Sequence, residues 1–169
     1  YRPFVYIMMN KPKGVISATE DDKERTVLDL LPPAYRRFHP FPVGRLDKNT
    51  EGLLLITNDG KLAHELLSPR KHVPKTYIAE IDGLLSSGEK TLLEQGVKLD
   101  DGYVTRPAVV DVLAVDGGQK KSCVQITITE GKFHQVKRMF LAVGRRVLYL
   151  KRTKMGKLSL DQRLAPGEV

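Results

Sequence analysis

At 169 residues the chain is long enough to bury about 70% of its unfolded surface, so no disulfide or metal is required to hold a core. Its one cysteine, Cys123, excludes an internal disulfide framework and a zinc cluster, and suits a reducing, cytoplasmic compartment. A net charge of +8, with no transmembrane-length apolar run and no signal peptide, points to a polyanionic partner such as nucleic acid rather than to a membrane.

Residues 5–9 read as a strand, leading into the loop Asn10-Lys11-Pro12-Lys13-Gly14. Residues 17–26 are polar and acidic and read as a surface loop. A short helix is expected over 27–31, stopped by Pro32-Pro33, with irregular chain over 34–43. The apolar run at 52–57 reads as a buried strand, and Asp59 caps a helix over 61–67 that Ser68-Pro69 ends. From Lys75 the pattern is regular: strand 76–81, helix 87–95 between an N-cap serine and Gly96, strand 108–115, strand 123–129, helix 133–143 and strand 146–150. That order is β-α-β-β-α-β, a ferredoxin- or RRM-like plan. In the last helix Phe133, Val136, Phe140 and Val143 form an apolar stripe toward the sheet, with His134, Lys137 and Arg138 together beside it. We expect one domain over 1–169, with a first lobe over about 1–73 and a second over about 74–169.

The chemistry concentrates at Gly44-Arg45-Leu46-Asp47, a carboxylate on a tight loop that feeds the buried strand. An isolated Arg-x-Asp is ordinarily a solvated loop pair, so the rest of the chain has to supply its meaning. The following residues imitate the start of a calcium loop, but the twelfth position is Asn58 and a strand, not a helix, follows. The four histidines are scattered, and no phosphate loop, dinucleotide fingerprint or nucleophile elbow is present, so neither metal nor cofactor is expected. Lys75-Thr76-Tyr77 places a phenol at a strand start beside the basic cluster Arg70, Lys71 and His72, suited to stacking on a base or to proton transfer. A second basic run, from Arg145 to Lys157, contains no acidic residue.

Taken together, Met9-Asn10-Lys11-Pro12-Lys13-Gly14, Gly44-Arg45-Leu46-Asp47, Asn58-Asp59-Gly60, Ser68-Pro69-Arg70, Lys75-Thr76-Tyr77, the run from Glu130 to Met139 and Leu164-Ala165-Pro166-Gly167-Glu168 resemble the RsuA-type ribosomal RNA pseudouridine synthases. The resemblance implies an α+β pseudouridine synthase fold with a mixed, mainly antiparallel sheet flanked by helices. It implies that Asp47 is the essential aspartate and that Tyr77 stacks on the target uracil and is a candidate base. It also implies that Lys137 is the basic partner of the aspartate, that Arg45 holds the nucleotide out of its stack, and that Leu150 lies under the base. Substrate contacts are expected from Asn10 and Lys11, from Arg70, Lys71 and Lys75, from His134 and Arg138, and from Lys151 and Arg152. A flipped uridine is required because its atoms are inaccessible in a stacked helix. Attack by Asp47 and a glycal route both remain open. The motifs resemble the small-subunit members, implying 16S ribosomal RNA or an assembling small subunit as partner, and a monomer. Such enzymes carry an N-terminal S4 domain, so a chain opening at Tyr1 is expected to be a fragment.

The rival expectation is a non-catalytic RRM-like RNA-binding module. Strand 123–129 has no aromatic platform, and a binding module gives Asp47, which repels phosphate, no purpose.

Overall fold

The structure is a computed structural model that describes residues 3–169. Its elements run β1 (Tyr6–Lys11), a 3-10 turn (Val27–Leu30), α1 (Pro33–Arg36), β2 (Phe41–Pro42), β3 (Glu51–Thr57), α2 (Gly60–Leu67) and a second 3-10 turn (Pro69–Lys71). They continue β4 (Lys75–Asp82), α3 (Ser87–Gln95), β5 (Val109–Asp116), β6 (Lys121–Ile128), α4 (Gln135–Ala142), β7 (Val147–Met155) and β8 (Leu158–Ser159). The class is α+β, as expected. Two compact units form: residues up to Val73 with Arg152–Val169, and Pro74–Lys151.

In the first unit β1 pairs antiparallel with β3, from Tyr6 opposite Thr57 to Lys11 opposite Gly52. Leu53, Leu54, Leu55 and Ile56 are all buried, so both faces of β3 are covered and the strand reads as an unbroken apolar run. Val43, Leu53, Leu55, Ala63 and Met155 make the core under α2, whose first turn is capped by Asp59 Oδ1 accepting from the Leu62 N–H at 3.1 Å. Gly52 permits a close approach: at φ +113°, a Cβ there would lie 2.1 Å from the carbonyl oxygen of Arg152.

The second unit has strand order β7-β4-β6-β5, the split arrangement expected for β-α-β-β-α-β. Val124, Ile126 and Ile128 of β6 are buried on one face against Ala79, Ile81, Leu93 and Phe140. The helix expected over 87–95 is α3, opened by a Ser86–Glu89 capping box.

The short helix expected over 27–31 is the 3-10 turn Val27–Leu30, which stops ahead of Pro32-Pro33, and Pro33 then starts α1, where a missing N–H is harmless. Three expectations are corrected. Residues 34–43, expected irregular, include most of α1 and all of β2. The helix expected over 133–143 is α4, Gln135–Ala142; His134 is left-handed (φ 48°), and Phe133, counted in the inward stripe, is 77% exposed. The last strand continues to Met155, which is buried in the first unit's core, and residues 152–169 group with the first unit rather than the second. Their tail is held there by Asn10, whose N–H donates to Glu168 O and whose O accepts from Gly167 N.

Candidate active site

Asp47 sits on the first unit's loop between β2 and β3, half-buried, with Leu46 buried before it and Arg45 exposed. The loop is held from inside. Lys11, at the end of β1, is 0% exposed, and its Nζ donates to the carbonyls of Pro12 (3.0 Å), Lys48 (3.1 Å) and Thr50 (2.9 Å). Ser17 Oγ brackets Leu46, donating to its carbonyl and accepting from its N–H, each at 3.1 Å. The Gly14 N–H donates to Lys48 O and the Thr50 N–H to Asp47 O, closing the turn on both sides. Gly44 (φ +79°) enters the loop where an added Cβ would meet Leu67 at 2.8 Å. Burial pushes the Lys11 ammonium down from 10.5 to about 8, while the charges of Asp47 and Glu51 pull it back up. A positive charge is thereby stored beneath the loop that carries Asp47.

Lys11 and Ser17 are the residues whose role the sequence did not reveal. Lys11 is expected on RNA, and its ammonium donates to three backbone carbonyls instead. The only signal was a lysine followed by proline at a strand end; Ser17 gave none. Asn10 likewise faces inward, its Nδ2 donating to Leu164 O at 3.0 Å. Arg152 is buried, with Nε donating to Leu53 O at 3.0 Å. Arg70 and Lys71 are exposed on the second 3-10 turn.

The second unit holds the other expected residues. Tyr77 lies on β4, half-buried against the core, opposite Ile126 of β6. Lys75 opens the same strand, and Leu150 and Lys151 lie on β7, Leu150 buried and Lys151 half-buried. Lys137, half-buried, and Arg138 lie on α4. Arg138 is occupied: its guanidinium meets Asp100 at 2.7 Å and Asp101 at 2.9 Å, and Nη1 donates to Phe133 O at 2.8 Å. These carboxylates hold Arg138 even more firmly protonated than usual. Glu130 gathers a further set: it accepts from the Tyr103 hydroxyl, the Arg106 N–H and Gln135 Nε2. The bond to Glu130 pushes the Tyr103 phenol up.

Among the described residues no group of three or more His, Cys, Asp or Glu is placed to hold a metal ion, and no helix is long and apolar enough to cross a membrane. Residues 5–142 match the family described as RNA pseudouridylate synthase, and the chain belongs to that family. It is 57% identical to the uncharacterized RNA pseudouridine synthase YtzG of Bacillus subtilis over 99% of this chain and 70% of that protein. It is 44% identical to ribosomal small subunit pseudouridine synthase A of Yersinia pestis, over 96% of this chain and 67% of the relative. To ribosomal large subunit pseudouridine synthase B of Bacillus subtilis it is 43% identical, over 92% and 63%. A crystal structure of a pseudouridylate synthase superposes with a TM-score of 0.89 at 33% identity, over 99% of this chain and 70% of that one. The chain is therefore an RNA pseudouridine synthase.

Proposed function

We propose that this chain converts one uridine of ribosomal RNA, in the 16S RNA of the small subunit, to pseudouridine, with Asp47 as the reacting carboxylate. The observation that carries the proposal is the Asp47 loop itself, fixed by Lys11 and Ser17 and underlain by a buried positive charge. Preorganised charge of that kind needs no rearrangement at the moment of reaction. In the isomerisation the N1–C1′ bond breaks, the uracil turns, C5 joins C1′, and the C5 proton is lost as N1 gains one. No electrons enter or leave, so no cofactor enters the balance.

Tyr77 stacks on the extruded uracil over an apolar floor that includes Leu150, Lys137 pairs with the carboxylate, and the exposed Arg45 holds the nucleotide out of its helix. Arg70, Lys71, Lys75 and Lys151 supply phosphate contacts, and His134 lies beside them. The enzyme acts as a monomer in the cytoplasm, on free 16S RNA or an assembling subunit. Relatives of nearly equal identity are named for the small and the large subunit. Lys75-Thr76-Tyr77 and Ser68-Pro69-Arg70-Lys71-His72 resemble the small-subunit enzymes and favour the first.

The test is tritium release from C5-tritiated uridine in 16S and 23S RNA. Wild type is expected to release tritium from 16S RNA, and Asp47→Asn to lose at least about 10³-fold in rate while keeping its melting temperature. Equal release by both proteins removes Asp47 from the mechanism, and release from 23S RNA alone reassigns the substrate.

A further inference from the structure

The turn that precedes α4 presents its aromatic side chain to solvent in a manner no packing requirement explains. Phe133 is 77% exposed, more than any other large hydrophobic residue among the described exposed ones. Its position is nonetheless fixed. Arg138 Nη1 donates to the Phe133 carbonyl at 2.8 Å while the rest of that guanidinium is tied to Asp100 and Asp101. On the other side of the turn, the Lys132 N–H donates to Gln135 Oε1 at 3.0 Å, and Gln135 Nε2 donates to Glu130 at 2.9 Å. His134 adopts a left-handed backbone (φ 48°), which a non-glycine residue rarely does and which swings Phe133 off the buried stripe of α4. The imidazole of His134 then backs the phenyl ring, with centroids 3.9 Å apart and planes tilted by 38°.

The carboxylates near the turn are all engaged, and the lysine next to the ring is exposed. Asp100 and Asp101 are engaged by Arg138, and Glu130 by Tyr103, Arg106 and Gln135. Lys132, next to Phe133, is exposed and its ammonium lies 4.6 Å from the centre of the Tyr103 ring. An exposed ring next to an exposed lysine is well suited to an unpaired nucleobase, whose π-face stacks while its phosphate meets Lys132.

We propose that Phe133 is a stacking platform for one unpaired nucleobase of the substrate RNA, held ready by the Arg138 and Gln135 bonds. It acts in binding and not in bond making. This rests on the RNA-modifying function proposed above and adds to it a base-binding position.

The chain contains no tryptophan, so Phe133→Trp gives a protein with a single indole at the platform. Stacking is expected to quench its emission by more than half when a single-stranded nonauridylate is added to saturation, and Phe133→Ala is expected to bind that oligonucleotide about tenfold more weakly than wild type. In the tritium assay Phe133→Ala is expected to raise KM about tenfold with kcat within twofold, and Phe133→Trp to restore KM. The exposed position leaves the melting temperature of both variants unchanged, which circular dichroism checks. Unaltered indole emission at saturation, or equal affinity of wild type and Phe133→Ala, overturns the platform. If wild type releases no tritium from either ribosomal RNA, the functional proposal fails, while the oligonucleotide measurements still decide the platform.

Discussion

The Asp47 loop and the Phe133 turn are both built by hydrogen bonds from distant residues, yet they are built in opposite senses. Under Asp47 the donors are buried: Lys11 is fully enclosed and Ser17 nearly so, and both bond to backbone. Around Phe133 the frame is made of side chains near the surface, and Asp100 and Asp101 are largely exposed. Buried donors that leave no alternative partner hold a group to one geometry, because each bond lost strands a polar atom without water. Bonds at the surface can be exchanged for water, so the turn tolerates adjustment. The difference matches the tasks proposed for the two regions: a carboxylate that must meet one atom, and a ring that must accept a base of some mobility.

The largest test of this contrast is Lys11→Met. It strands three carbonyls inside the first unit and is expected to lower stability by about 3 kcal/mol and activity by about 10²-fold. Urea unfolding and tritium release measure the two. A variant as stable and active as wild type would mean that the loop is held by its own turn and the buried lysine is incidental.

A pH series sharpens the same point. The folded chain gives up the Lys11 proton near about 8, whereas the unfolded chain keeps it to 10.5. Between those values the unfolded state binds the extra proton, so this lysine's contribution to stability rises with pH. The stability difference between wild type and Lys11→Met is therefore expected to widen from pH 7.5 to pH 10. Activity is expected to fall over the same range, as the positive charge beneath Asp47 is lost. A stability difference that narrows with pH contradicts the assignment.

Ser17→Ala removes two bonds to Leu46 and nothing else that the structure shows. The expected effect is about 2 kcal/mol in stability and about tenfold in kcat, with KM unchanged, since the loop is loosened and not the RNA surface. A change confined to KM would place Ser17 on the substrate side instead.

Much of this architecture was visible in the chain, and the parts that were not share a cause. The Asp47 loop announced itself because glycines and an apolar run bracket it, and α3 was legible because a serine N-cap, at Ser86 or Ser87, and Gly96 mark its ends locally. Lys11 was read as an RNA contact because a lysine is ordinarily a surface residue, and the carbonyls that capture it at Lys48 and Thr50 are 37 and 39 residues away. Phe133 was read as core because it falls in phase with Val136 and Phe140, and the left-handed His134 that breaks the phase has no sequence signature. The length of β7 was hidden by its own basic run, since Lys151, Arg152 and Lys154 do not resemble a strand entering a core; Arg152 enters it by bonding Leu53.

The smallest expected effect comes from Arg138, and it separates the sequence expectation from the structural one. If the guanidinium serves RNA as a charge, Arg138→Lys keeps most of its value. If it serves as the frame of the Phe133 turn, a lysine cannot reach Asp100, Asp101 and the Phe133 carbonyl at once, and the two variants Arg138→Lys and Arg138→Ala behave alike. The second outcome is expected: both variants raise KM about threefold, leave kcat unchanged and barely change stability, because the carboxylates they release are exposed. The salt dependence of RNA binding gives an independent reading. A lost phosphate contact flattens the slope of affinity against salt, whereas a loosened stacking turn lowers affinity at every salt concentration and leaves that slope intact.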